Sequence, residues 1–257
     1  MATANPTISL VFFTIVTILY FILKYFSKNA QTQKIWGVIY ILLIIFGEYN
    51  INLMLTKDLC GTNQYNVAML VTLVPWLLIF GILNVILMVF PGWLSPFSNT
   101  FGYLVTKISG VGSFFNDILT PKIESKKGGK EIFAALEHIY NDKSLLINEL
   151  TLNNLPDFWN NMQKGGLIKK DAGSDKSDNY NKLKGFIELK DDVATFVWYI
   201  LTGALVTSAG YNYIVNTGCK QSVAEMQKRH AEYEEQVKQE QETKDNAPPQ
   251  RIYKSYE

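Results

Sequence analysis

The chain has 257 residues, of which 48% are hydrophobic and 18% charged, and its net charge is +1 at pH 7. This balance argues against a protein that binds nucleic acid mainly by neutralising phosphates, because such proteins carry a basic excess. Two cysteines and two histidines are too few for a disulfide-rich scaffold or a structural zinc site.

The first predicted element is an apolar helix from Thr7 to Tyr25, long enough to cross a bilayer core about 30 Å thick. Nothing basic precedes it, and no small-residue cleavage site follows it. A basic linker comes next instead, which favours a retained anchor over a signal peptide. We therefore predict an N-terminal anchor helix and linker over residues 1–34.

Residues 35–105 are predicted to form a transmembrane hairpin with an aromatic exit. Its second span runs from Ile35 to Leu55, and its third from Leu70 to Phe90, inside a stretch from Leu59 to Phe101 that contains no charged residue. Polar groups in these spans are candidates for helix packing or for an ion pathway. They are Glu48, Asn50, Asn52 and Asn84.

The stretch that follows the third span, Pro91 to Val105, is the aromatic exit of the hairpin. Its aromatic residues alternate with prolines and glycines. This pattern suits a segment that lies in the membrane interface or against a partner, since it is too interrupted for another span. The candidate interfacial or docking residues in it are Trp93, Phe97, Phe101 and Tyr103.

Composition becomes polar over residues 106–192, which we predict to be a small α+β docking domain. Its expected order is three short helices, Glu131–Tyr140, Asp142–Leu150 and Leu155–Lys164, and then a two-stranded ribbon formed by residues 167–170 and 185–190. This is the order of elements in a winged helix-turn-helix.

A winged-helix-like domain raises the hypothesis of a DNA tether. Between Lys107 and Asp192, however, 13 basic residues face 13 acidic ones, so nucleic-acid binding is expected to be weak. Protein docking is favoured instead. Phe158 and Trp159 of the third helix are expected in the core of the polar domain, and they are also docking candidates.

A fourth transmembrane helix is predicted over residues 193–216, with Asp191 and Asp192 capping its amino end. Small residues let helices pack closely in lipid, either within one bundle or between subunits of a homo-oligomer. The candidate packing residues are Gly81 in the third span and Gly203, Thr207 and Gly210 in the fourth.

Lysines cluster in the linker after the first span and before the fourth, which places the polar domain on the cytosolic side and both termini outside. Cys60 and Cys219 follow the second and fourth spans, so both are expected on the same side of the membrane. A disulfide between them is one hypothesis, and two unpaired thiols is the other.

The tail, 217–257, is predicted to be a polar helix followed by an extended peptide from Asn246 to Glu257 that docks on a neighbour. An apolar stripe in the helix suits either a solvated helix or one leg of a coiled coil. Its members are Val223, Met226, His230, Tyr233 and Val237. No catalytic, metal or cofactor motif appears in the chain, and we expect no enzyme activity, metal or cofactor.

The run from Phe90 to Leu104, FPGWLSPFSNTFGYL, resembles a segment found in membrane proteins of large icosahedral DNA viruses of algae and protists. The resemblance implies a structural protein of the virion inner membrane, inserted into a host endomembrane during assembly. It also implies a minor capsid role that links the bilayer to the capsid shell and other virion proteins. An oligomeric channel is the alternative, with a DNA tether as a further one.

Overall fold

The structure is a computed structural model that describes residues 7–27, 29–120, 142–175, 177–217, 219 and 223–245. Its helices are α1 Thr7–Phe26, α2 Ala30–Cys60, α3 Tyr65–Val89, α4 Val111–Ile118, α5 Leu155–Lys164, α6 Asp178–Asn216 and α7 Val223–Asp245. Two further helical turns are Lys143–Glu149 and Lys170–Ala172. Residues 91–108, here called the exit segment, consist of consecutive helical turns.

Four helices, α1, α2, α3 and α6, are long and apolar enough to cross a membrane. Even the shortest, the 20-residue α1, extends about 30 Å at 1.5 Å per residue, which matches a bilayer core. The predictions of a mainly helical fold and of four helices long and apolar enough to cross a membrane are thus confirmed. Pro75 does not end α3, because the chain continues through a π-helical turn, Pro75–Phe80.

The rings of Phe12 and Phe13 in α1 pack against glycines of α2 and α6, where a larger residue would clash with them. A Cβ atom at Gly47 of α2 would lie 2.0 Å from the Phe12 ring, and one at Gly203 of α6 would lie 2.0 Å from the Phe13 ring. Phe13 is completely buried and also contacts Trp76 of α3, with 5.3 Å between ring centroids. The two glycines therefore allow α1 to pack between α2 and α6.

The other predicted packing residues differ in their surroundings. Gly210 is buried, and a Cβ atom there would lie 3.3 Å from Val71 of α3. Thr207 is only partly buried and donates to the Ala204 carbonyl of its own helix. No heavy atom of the described residues comes within 4 Å of a Cβ built at Gly81, so none of these residues makes the predicted close contact there.

A second core lies outside the apolar bundle, in the polar domain. It joins α4, the turn Lys143–Glu149, α5 and the first turns of α6 around the fully buried Trp159. The predicted helix Leu155–Lys164 is confirmed. Asp142 caps the helical turn Lys143–Glu149 by accepting a hydrogen bond from the Ser144 amide. The predicted helix Glu131–Tyr140 lies outside the described residues.

The predicted β-ribbon is wrong. Residues 185–190 belong to α6, and Ile168 forms only an isolated bridge with Leu119. Leu183, Phe186 and Ile187 recur at helical spacing and face the domain core, and that burial selects the helix over a strand. No strand occurs among the residues that the structure describes, so the α+β, winged-helix-like assignment has no support.

The helix that contains the predicted fourth span, residues 193–216, begins before that span. It starts at Asp178, where the Ser177 hydroxyl accepts a hydrogen bond from the Tyr180 amide, so Asp191 and Asp192 lie within the helix and do not cap it. The 39 residues of α6 extend about 58 Å, nearly twice a bilayer core. One continuous helix therefore serves both the polar domain and the bundle.

A disulfide joins Cys60 and Cys219, whose Cα atoms are 5.4 Å apart. It connects the carboxyl end of α2 to the residues just after α6. The opposite end of the bundle carries the carboxyl end of α1 beside the polar domain, where Lys24 bonds Asp192. The two cysteines thus lie at one end of the bundle, and the polar domain lies at the other.

Replacing Gly203 with leucine is expected to destabilise the bundle, because the new side chain would occupy the space of the buried Phe13 ring. Overpacking of this kind costs about 1–3 kcal/mol or more. Gly81→Leu is the matched control, since a Cβ there meets no neighbour. Thermal unfolding in detergent should show a lower Tm for Gly203→Leu alone, and equal Tm values for the two variants would contradict this packing.

The disulfide predicts that the protein migrates faster on a non-reducing gel than on a reducing one, because it closes a loop across a sequence separation of 159 residues. The chain-entropy account gives such a loop up to about 5 kcal/mol of stabilisation. Cys60→Ser should remove the mobility difference. Identical migration of wild type and variant without reductant would show that the bond does not form.

Candidate functional site

The candidate site is the junction between the apolar bundle and the polar domain, centred on Lys190 of α6. Its side chain is only 2% exposed. The Nζ atom donates to the carbonyl oxygens of Ile147 at 2.7 Å and Leu150 at 2.8 Å. The Ile147 carbonyl also accepts a hydrogen bond from the Leu150 amide, so the ammonium group adds a further bond at the end of the helical turn Lys143–Glu149. A cation is favoured at such a helix end.

The two residues after Lys190 make contacts with two further elements. Asp191 accepts a hydrogen bond from the Ser98 hydroxyl of the exit segment at 3.2 Å. Asp192 pairs with Lys24 at the end of α1, with 2.6 Å between Nζ and Oδ1. Successive helical residues point about 100° apart, because a turn holds 3.6 residues. Residues 190–192, here called the collar, can therefore bind three elements at once.

The exit segment approaches the collar closely at Gly102. A Cβ atom at this position would lie 2.5 Å from the Lys190 carbonyl oxygen, so only glycine permits the observed distance. One residue later, the Tyr103 hydroxyl lies 2.9 Å from the Ser144 hydroxyl of the polar domain. The exit segment is thus fixed to α6 on one side and to the polar domain on another.

An ion pair adds a second link between the exit segment and the polar domain. Lys107 donates to Asp142 over 2.9 Å between Nζ and Oδ2. Hydrogen bonds from the Ser144 hydroxyl and from Lys107 lower the pKa of Asp142 to about 2. The same bond to Asp142, together with one to the Tyr103 hydroxyl, raises the pKa of Lys107. The pair therefore stays charged throughout the physiological range, although its exposure limits its strength.

The aromatic docking candidates of the exit segment divide into exposed and internal residues. Trp93 and Phe101 are 52% and 51% exposed. Phe97 packs edge-on against Trp198 of α6, with ring centroids 5.9 Å apart, and Tyr103 bonds to the polar domain. Only the two exposed residues remain accessible to a partner or to lipid.

The two candidates in α5 are not surface anchors. Trp159 is completely buried in the core of the polar domain, and its ring meets Tyr180 edge-on at 5.5 Å. Phe158 is partly buried against the same core. Both residues pack α5 into the polar domain, in agreement with the expectation that they contribute to the core of that domain.

Polar residues of the spans do not converge on one path. Glu48 and Asn52 are buried one helical turn apart on α2, where Glu48 accepts a hydrogen bond from Ser9 and Asn52 donates to Thr72. By contrast, two of the candidates bond to carbonyls of their own helices. These are Asn50, bonded to Phe46, and Asn84, bonded to Phe80.

One oxygen of Glu48, Oε1, is buried and makes no hydrogen bond to any described residue. Within the same described ranges, no group of three His, Cys, Asp or Glu side chains is placed to hold a metal ion. His138 lies outside those ranges, while His230 of α7 lies 3.6 Å from Glu234.

The sequence analysis missed the contacts of Lys190, because it placed this residue at the end of the predicted strand 185–190 and counted it among the basic residues before the fourth span. The available signal was periodicity: Lys190 follows Leu183, Phe186 and Ile187 at positions i+7, i+4 and i+3, on the apolar face of the helix. A lysine on such a face is expected to bury its stem and to find acceptors for its head group.

Comparison of this chain with protein-family models, with curated proteins and with solved structures found no match.

Replacing Lys190 with methionine should destabilise the junction by about 2–4 kcal/mol, because two buried carbonyls lose a charged donor. Lys184→Met is the matched control, since Lys184 is exposed on the same helix and its ion pair is with the equally exposed Glu188. Thermal unfolding in detergent, followed by tryptophan fluorescence, measures the difference. Equal stability of the two variants would contradict an anchoring role for Lys190.

Proposed function

We propose that this protein is a structural membrane protein that holds a small helical domain in a fixed position against one face of a bilayer, where it docks to a protein shell. The observation that carries the proposal is that the polar domain and the apolar bundle share one continuous helix, α6. Its first half contributes Leu183, Phe186 and Ile187 to the core of the polar domain, and its second half packs in the apolar bundle. The collar ties both halves to the exit segment and to α1.

A protein that links a membrane to a shell must resist bending between its two attachment points. A flexible linker would allow the docking domain to move independently of its anchor. A continuous helix with a buried cation at the junction restricts that motion. This architecture favours mechanical attachment over catalysis, and we propose no enzymatic activity for it.

The resemblance of residues 90–104 to virion membrane proteins of large icosahedral DNA viruses suggests that the protein shell is a viral capsid. On that basis the protein is a minor capsid protein of the virion inner membrane. It would enter a host endomembrane and meet the capsid from there.

An exposed apolar stripe on the exit segment is the proposed contact with the capsid. Phe101, Leu104 and Ile108 recur at positions i, i+3 and i+7, and Ile108 is 79% exposed. Ile108 lies in the helical turn that follows the collar contact at Gly102, close to Lys107 and its bond to the polar domain. Its position favours a protein partner over the bilayer core. Contiguous exposed apolar residues of this kind mark interaction sites.

The two alternatives fit the geometry less well. A DNA tether would use a winged-helix surface, but the ribbon that would form the wing is helix, and the charges of the domain are balanced. A channel would need polar side chains along one path, whereas Asn50 and Asn84 bond to their own helices.

The proposal predicts that the protein copurifies stoichiometrically with virions and resists detergent release while the capsid is intact. A Leu104→Glu, Ile108→Glu double variant should reach the membrane of producing cells but be depleted from purified particles, because two charges would enter the contact. Leu152→Glu is the control, since Leu152 is exposed elsewhere on the polar domain. Quantitative immunoblotting measures the amount of each variant in cell membranes and in purified particles.

Two outcomes would overturn the proposal. One is recovery of the wild-type protein from infected-cell membranes together with its absence from purified virions. The other is equal incorporation of the double variant and the Leu152→Glu control.

A further inference from the structure

The polar helix α7 lies beyond the disulfide, at the end of the bundle opposite the polar domain. It has 23 residues and begins four positions after Cys219. Among the described residues no other element packs along it. Met226 and Tyr233 are 49% and 65% exposed, and Val237 is 37% exposed. Most of the stability of helices in proteins comes from packing of an amphipathic face, so a packing partner would stabilise α7.

The exposed side chains of Met226, Tyr233 and Val237 belong to a heptad pattern in the sequence of α7. Val223, Met226, His230, Tyr233 and Val237 occupy successive a and d positions, with spacings of three and four. Glu240 and Lys244 take the next two core positions and end the apolar seam. The seam therefore covers about two heptads, from 223 to 237.

We propose that α7 forms a parallel two-stranded coiled coil with α7 of a second copy of this chain. In a parallel pair, each g position lies beside the following e position of the partner helix. Arg229 occupies g, and Glu234 occupies e, so each Arg229 faces Glu234 of the second copy. The next such pair is Gln236 with Gln241, which are both neutral and form no repulsive contact.

Membrane insertion supplies the orientation. Two copies inserted the same way extend α7 from the same membrane face, which makes the parallel arrangement the accessible one. Confinement in the bilayer also raises the effective concentration of the two helices, so a short seam suffices. The inference rests on the proposed membrane crossing, and it is independent of the proposed capsid contact.

Thiol cross-linking in proteoliposomes tests the pairing. Cys60 and Cys219 are bonded to each other, so an introduced cysteine supplies the reactive thiol. Tyr233→Cys places a thiol in the seam, at d, whereas Glu235→Cys places the control thiol at the outer f position. A short bismaleimide should yield covalent dimers of the full chain several-fold more efficiently from position 233 than from position 235.

Charge reversal tests the register. Arg229→Glu, introduced into the Tyr233→Cys protein, should reduce dimer formation, because two glutamates would then face each other across the seam. Adding Glu234→Arg should restore it, because the pair is recreated with its charges exchanged. Loss of cross-linking without restoration by the exchanged pair would overturn the parallel register.

Three results would overturn the pairing itself. They are equal cross-linking at 233 and 235, no dimer at either position, and a cross-linked product whose mass differs from twice that of the chain. Fast migration of the monomer on a non-reducing gel verifies the native disulfide in each variant. Particle incorporation is measured separately, so failure of the pairing and failure of the capsid role can be distinguished.

Discussion

Burial of the Lys190 ammonium group is the constraint on which the junction depends. An ionised group removed from water costs several kcal/mol unless it is paired or hydrogen-bonded. In this protein the compensation comes from Ile147 and Leu150, two carbonyl groups roughly 40 residues earlier in the chain. Moving the turn Lys143–Glu149 away from α6 would break both of these hydrogen bonds. The position of the polar domain relative to the bundle is therefore set by hydrogen-bond satisfaction as well as by apolar packing.

The residues beside Lys190 extend the same constraint to the rest of the molecule. Asp191 contacts the exit segment, and Asp192 contacts α1, because adjacent helical residues project in different directions. Gly102 adds a steric requirement, since a larger residue would push the exit segment away from the α6 backbone. Three elements that are distant in the sequence meet within one turn of a helix. This concentration of contacts is the physical basis for assigning the junction a structural role.

The apolar bundle uses a different kind of specificity. Helices in lipid gain little from the hydrophobic effect when they associate, so shape and buried hydrogen bonds decide their pairing. Gly47 and Gly203 provide the shape by accepting the rings of Phe12 and Phe13. Asn52 with Thr72 provides a buried polar contact between α2 and α3. These interactions fix which helices are neighbours, and the disulfide holds the far end of the bundle.

The sequence by itself determined the number and approximate position of the apolar spans, because length and hydropathy are local properties. It also determined the helix around Trp159 and placed the two cysteines on one side. Only the tertiary structure decided that residues 185–190 are helical. Six residues do not distinguish a strand from a helix by periodicity, and burial of Phe186 and Ile187 against α4 and α5 makes the choice. The partners of Lys190, Gly102 and Gly203 are likewise set across long sequence separations, by packing that no local pattern encodes.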